Sequence, residues 1–137
     1  MRSWKPKGLH ERADETVLER VMTSVRRLEP ETLAVVVHYQ AHRVADAARS
    51  YDARVTIVEQ DDIAGTGRAV QCAMSKLAAM GPLHGEVLVT AADMPLLDAD
   101  TLKRRLDFHR PSGDGAPVLP TGMAEPPGFG TLTREPD

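Results

Sequence analysis

The chain has one cysteine, Cys72, so no disulfide can form within it, and a disulfide-stapled secreted scaffold is excluded. A reducing cytoplasm is the compartment that fits. Cys72 falls on an apolar helical face, where it is expected to act as a small core residue. Aromatic residues are equally scarce, at 4% of the sequence, so any core must be built from Val, Leu, Ile, Ala and Met. Positive charge is not in excess: the formal net charge is −3, which gives no electrostatic reason to expect nucleic acid or an anionic membrane as partner. No apolar run approaches the roughly 20 residues that span a bilayer. The first residues, MRSWKPKGLHER, carry charges but lack the apolar stretch of a secretory signal. No internal repeat is present.

What remains is an ordinary globular composition, 42% hydrophobic and 27% charged, in 137 residues, the size of a single domain. Residues 1–13 read as irregular and basic. A helix is expected from near Asp14 or Thr16 to Leu28, with Val17, Leu18, Val21, Val25 and Leu28 on one side, ended by Glu29-Pro30. TLAVVVHY (32–39), RVTIVE (54–59) and EVLVTAA (86–92) read as strands, the first and last apolar throughout and so covered on both faces. Helices are expected over 41–50 and 67–80, the second stopped by Gly81-Pro82. Another should start at Asp98 or Asp100 and reach His109. Residues 110–130 are rich in Pro and Gly.

Strands alternating with helices predict an α/β fold, a Rossmann-like, mostly parallel sheet with helices on both faces. Ligands of such sheets sit at the carboxyl ends of the strands, so the segments after residues 59 and 90 are where chemistry is expected. The first reads QDDIAGTGRAV (60–70). It lacks the third Gly of a dinucleotide fingerprint and the Lys-Ser/Thr of a P-loop. A Gly-rich strand-to-helix turn is one reading of it. The other is a helix start with free N–H groups, with Thr66 as a polar contact and two glycines that let a ligand come against bare backbone. Gln60 can donate and accept at once, as the amide edge of a pyrimidine requires.

The second segment reads ADMPLL (92–97). Asp93 at the end of an apolar strand is a natural Mg²⁺ ligand beside a nucleotide, or else a turn aspartate before Pro95. Asp98 and Asp100 are better explained as helix-start acids. Arg2, Lys5 and Lys7 form a solvated basic tail, unless Lys7 reaches a phosphate as a mobile point charge. His38 and His42 straddle a strand end and a helix start with no third ligand evident, so a metal pair is not expected there.

Taken in order, MRSWKPKGLHE (1–11), AVVVHYQAHRV (34–44), VEQDDIAGTGRAV (58–70), VLVTAADMPLLDADTLKRRLDFHR (87–110) and PPGFGTLTRE (126–135) resemble the sugar-1-phosphate nucleotidyltransferases. The resemblance is nearest to the uridylyltransferase domain of the bifunctional N-acetylglucosamine-1-phosphate uridylyltransferase and glucosamine-1-phosphate acetyltransferase. It runs over essentially the whole chain, 1–137, and Q-x4-G-T-G-x-A-V followed by D-x-P-L-L is specific in combination. It implies the nucleotide-diphospho-sugar transferase fold. The implied reaction converts UTP and N-acetylglucosamine 1-phosphate to UDP-N-acetylglucosamine and pyrophosphate, with Mg²⁺ as cofactor. By the same resemblance, Gln60 and the Gly65-Thr66 turn hold the uracil, with Ala91 and Ala92 lining the same strand end. Lys7 is the catalytic residue that neutralises phosphate, Asp93 binds the metal, and Gly130 sits near the sugar.

The sequence also departs from that pattern. By the resemblance, Met1 falls where the family's Gly-rich loop ends, so the expectation is a sequence without the first strand, that loop and the segments that follow Asp137. Ala92 stands where Gly is usual, and Arg68 where His is usual. No acetyltransferase β-helix is expected within these 137 residues, nor the trimer it builds. The missing first strand should leave two sheet edges unpaired, at about 1–3 kcal/mol for each stranded polar group. A weak or inactive enzyme is the expectation. The alternatives are a non-catalytic remnant binding nucleotide or a partner chain, and a relative using another nucleotide, as a molybdopterin guanylyltransferase does.

Overall fold

The computed structural model describes residues 11–12, 15–94 and 96–112. The chain opens with two short strands, β1 (Glu11–Arg12) and β2 (Glu15–Thr16), followed by α1 (Val17–Arg26), β3 (Ala34–Val37) and α2 (Ala41–Tyr51). After these come β4 (Thr56–Glu59), α3 (Thr66–Met80) and α4 (Ala99–Ser112).

Thr16 starts α1 for a local reason. Its hydroxyl accepts the Glu19 backbone N–H at 3.2 Å, and the Glu19 carboxylate accepts the Thr16 backbone N–H at 2.7 Å. This reciprocal pair satisfies two donors that a helix start otherwise leaves bare. The helix stops at Arg26, two residues before the expected Leu28. There Leu28 and Glu29 donate to the carbonyls three residues back, a tightened last turn. Glu29 then takes φ 52°, a left-handed turn that ends the helix just before Pro30. Asp98 caps α4, accepting the Thr101 N–H at 2.7 Å, and the helix runs past His109 to Ser112. Residues 11–12, expected to be irregular, pair antiparallel with 15–16.

β3 and β4 pair in parallel, with Val35 opposite Ile57 and Val36 opposite Val58. The pleat sends Val35 and Ile57 to one face, where they pack against Leu18 and Met22 of α1 and Ala48 of α2. α3 contacts both strands. Val36 and Val58 point away from α1 and α2, so α3 covers the second face. A second cluster joins Val21 and Val25 of α1 to Leu102 of α4, with Leu33, Leu88 and Leu97 against it. Leu18 and Leu102 are both 2% exposed, and full burial of such a side chain is worth about 2 kcal/mol.

One expected element is not there. Residues 86–92 form no strand, although they are as apolar as β3. Leu88 packs on the α4 cluster, while Val87 and Val89 stay 62% and 54% exposed. An apolar run becomes a strand only when a neighbour accepts and donates along it. Among the described residues β3 pairs with β4 alone, and no strand lies against its other edge. The segment therefore forms no ladder.

Candidate functional site

The carboxyl ends of β3 and β4 lie side by side because their register is in step: Val37 stands opposite Glu59. The next residue of the second strand, Gln60, donates its backbone N–H to the Val37 carbonyl at 2.8 Å. Its own carbonyl lies 3.3 Å from Nδ1 of His38. From here the chain turns through residues 61–65 into α3.

Inside this turn Gln60 is the hub. Its Nε2 donates to the Ile63 carbonyl at 2.7 Å and to the Gly65 carbonyl at 3.2 Å. Both amide hydrogens are thereby engaged, and Oε1 remains as an acceptor. The sequence reading treated Gln60 as donor and acceptor together; the turn leaves it the acceptor role. Gly65 precedes α3 with φ 120°, a region open to glycine and strained for other residues. Its carbonyl also accepts the Ala69 N–H at 3.1 Å, the first bond of the helix. Thr66 and Gly67 form the first turn, with no side-chain cap bound to their N–H groups.

The two glycines differ in what requires them. Gly65 is fixed by its backbone. Gly67 is helical, and a Cβ built there would meet no atom within 4 Å. Neither crowding among the described residues nor backbone geometry accounts for it, although glycine in a helix costs about 1 kcal/mol relative to alanine.

A charged pair crosses the base of the turn. Arg68 donates through Nε to both carboxylate oxygens of Asp61, at 3.1 and 3.0 Å, and through Nη2 to Oδ2. The Asp61 carboxylate also accepts the Ile63 N–H at 3.2 Å. These contacts, the Arg68 guanidinium first, hold the Asp61 carboxyl below its usual range and raise Arg68. Sequence reasoning noted Arg68 only as a departure from a pattern. An acidic and a basic residue flanking a Gly-rich turn was the available signal.

Ala92 and Asp93 form an exposed turn following Ala91. Among the described residues Asp93 has no ion pair or hydrogen bond, and no group of three metal-ligating side chains occurs. The structure thus gathers Gln60 and Gly65 into one bonded turn, with Thr66 next in the chain, and places Asp93 after the third apolar segment with no hydrogen bond to that turn among the described residues. Lys7 and Gly130 lie outside the described residues. A cavity of about 260 Å³ lined by Arg26, Leu33, Arg54, Thr56 and Met80 lies at the amino ends of β3 and β4. That is the end of the sheet away from the turn, where folds of this class do not bind their ligands. No described helix is long and apolar enough to cross a membrane.

A family model described as the MobA-like NTP transferase domain matches residues 1–135. Among curated proteins, the bifunctional protein GlmU of Bifidobacterium animalis subsp. lactis is 65% identical over 137 residues, covering 100% of this chain and 30% of that protein. GlmU of Bifidobacterium adolescentis is 62% identical, over 98% of this chain and 29% of its own length. GlmU of Kineococcus radiotolerans is 41% identical, over 98% and 27% respectively. The chain therefore spans about 30% of the length of its Bifidobacterium relatives.

Proposed function

The chain belongs to the MobA-like NTP transferase domain family, and from that footing we propose that it is a uridylyltransferase-type domain whose turn 60–67 holds the base of UTP. The observation that carries the reading is Gly67, a helical glycine that no contact among the described residues requires. Room left over bare backbone, next to unengaged helix-start N–H groups, suits a flat base and its carbonyl oxygens. Gln60 adds discrimination. With Nε2 engaged by its own turn, it offers Oε1, which accepts from the N3–H of uracil and finds no hydrogen at N3 of cytosine.

The substrates of the proposed reaction are UTP and N-acetylglucosamine 1-phosphate. A phosphate oxygen of the sugar phosphate bonds to the α-phosphorus of UTP, and the bond from that phosphorus to the pyrophosphate oxygen breaks. Such transfers need positioning and charge neutralisation more than covalent help. Asp93 fits a Mg²⁺ site of the usual kind, one carboxylate completed by substrate phosphates and water, because no protein cation engages it among the described residues. When bound, the metal would supply neutralisation of the phosphates. Ala91 and Ala92 would line the same end, Lys7 would meet phosphate, and Gly130 would lie near the sugar.

The test is a thermal melt of the chain with UTP, CTP or GTP, each with and without Mg²⁺. Binding to the folded state alone adds about 2.7 kcal/mol at a hundredfold excess over Kd. The expected result is a Tm raised by UTP more than by CTP. A Tm indifferent to every nucleotide overturns the reading, and a rise confined to GTP replaces the uridine assignment with a guanosine one.

A further inference from the structure

The turn that carries Gln60 does not hold itself. Its order traces back through a chain of bonds: the Arg68 guanidinium grips the Asp61 carboxylate, that carboxylate accepts the Ile63 N–H, and the Ile63 carbonyl receives the Gln60 amide. Arg68 is anchored from behind by Gln71, whose Oε1 accepts from Nη1 at 3.2 Å one turn along α3. The forked grip on a carboxylate fixes orientation as well as distance, which a lysine ammonium would not do.

We propose that Asp61 and Arg68 are positioning residues that set base selectivity by holding Gln60 with its acceptor outward. The proposal rests on the nucleotide reading given above for this turn. With the grip in place, Ile63 is pinned, both Nε2 hydrogens stay engaged, and Oε1 alone can face a base. With the grip lost, Ile63 is released and the Gln60 amide can turn over. A turned amide donates where it had accepted, so uracil loses its advantage and cytosine, with an acceptor at N3, gains. The pair touches no reacting atom. Its effect falls on which base is bound, not on the strength of binding in general.

Two measurements on the full chain decide this. In the first, without nucleotide, the side-chain NH₂ resonances of Gln60 are followed by nuclear magnetic resonance. Wild-type chain should show both hydrogens shifted from free-amide positions. Arg68→Ala and Asp61→Asn should return them toward those positions, with Arg68→Lys intermediate. Unchanged resonances in both Arg68→Ala and Asp61→Asn overturn the proposal.

In the second, UTP and CTP are titrated separately. The UTP-to-CTP affinity ratio should fall about fivefold in Arg68→Ala, the scale of losing one exposed ion pair. A ratio that holds while both affinities drop assigns the pair a merely structural role and overturns the proposal. If wild-type chain binds neither nucleotide, the nucleotide reading fails, and the Gln60 resonances still decide whether the grip orients the amide.

Discussion

The Arg26 guanidinium, on the last turn of α1, pairs with the carboxylate of Asp52, the residue that ends α2. Asp52 also accepts the Arg54 backbone N–H at 2.9 Å, and its side chain is 11% exposed. One carboxylate thus ties two helices to the strand that follows them. The Lys103–Asp107 pair on α4, by contrast, is 65% and 47% exposed and joins residues of a single helix turn. Asp52→Ala should therefore lower the melting temperature by more than Asp107→Ala. Parallel melts of the two variants test the ranking.

Leu18 sits where α1, α2 and the β3–β4 sheet meet, packed with Met22, Ala48 and Val55. Leu18→Ala should cost about 2–5 kcal/mol in urea unfolding, the range for a buried leucine whose cavity cannot fully collapse. Thr16→Ala removes the helix cap and should cost about 1 kcal/mol. Failure of Leu18→Ala to exceed Thr16→Ala would mean that these helices do not share a common core.

Gly65 and Gly67 should separate stability from binding. Gly65→Ala places a Cβ at φ 120° and should destabilise by about 1 kcal/mol or more. Gly67→Ala meets no atom within 4 Å among the described residues and should hold stability or raise it by up to about 1 kcal/mol, while weakening UTP. The melt without ligand and a UTP titration read the two effects independently.

Acid should unfold the chain through identifiable carboxylates. Glu19 is held below its ordinary 4.5 by the Thr16 N–H and hydroxyl. Asp52 and Asp98 are held below 3.8, first by the N–H groups of Arg54 and Thr101 respectively. A carboxyl depressed in the folded state contributes stability that is complete above its unfolded value and lost as pH falls through its folded value. The Tm should be nearly level from about pH 7 to 5 and decline below about pH 4. A Tm that did not decline below about pH 4 would show that these carboxylates do not govern acid stability.

Much of this fold was legible because it is locally encoded. Thr16 and Asp98 announce helix starts through side chains that reach their own backbone, and RVTIVE contains β4 within its bounds. The run 86–92 misled because a strand is a relation between two segments, and its Val and Leu residues record only one of them. In the site, Gly65 and Thr66 could be found from the turn alone. The orientation of Gln60 could not, since it depends on Asp61 and Arg68 meeting across seven residues, a contact with no periodicity to betray it.

The ladderless stretch 86–92 has a consequence for how the chain opens. β3 and β4 share backbone bonds beneath three helices, so the amides bonded between them should exchange with solvent only when the whole domain unfolds. Residues 86–94 make no strand-to-strand bonds among the described residues and should belong to a separate, low-energy opening unit. Asp93 rides on that unit. A phosphate-bearing ligand that recruits Asp93 would have to quiet local motion before it could use the carboxylate, and part of its binding free energy would be absorbed in doing so.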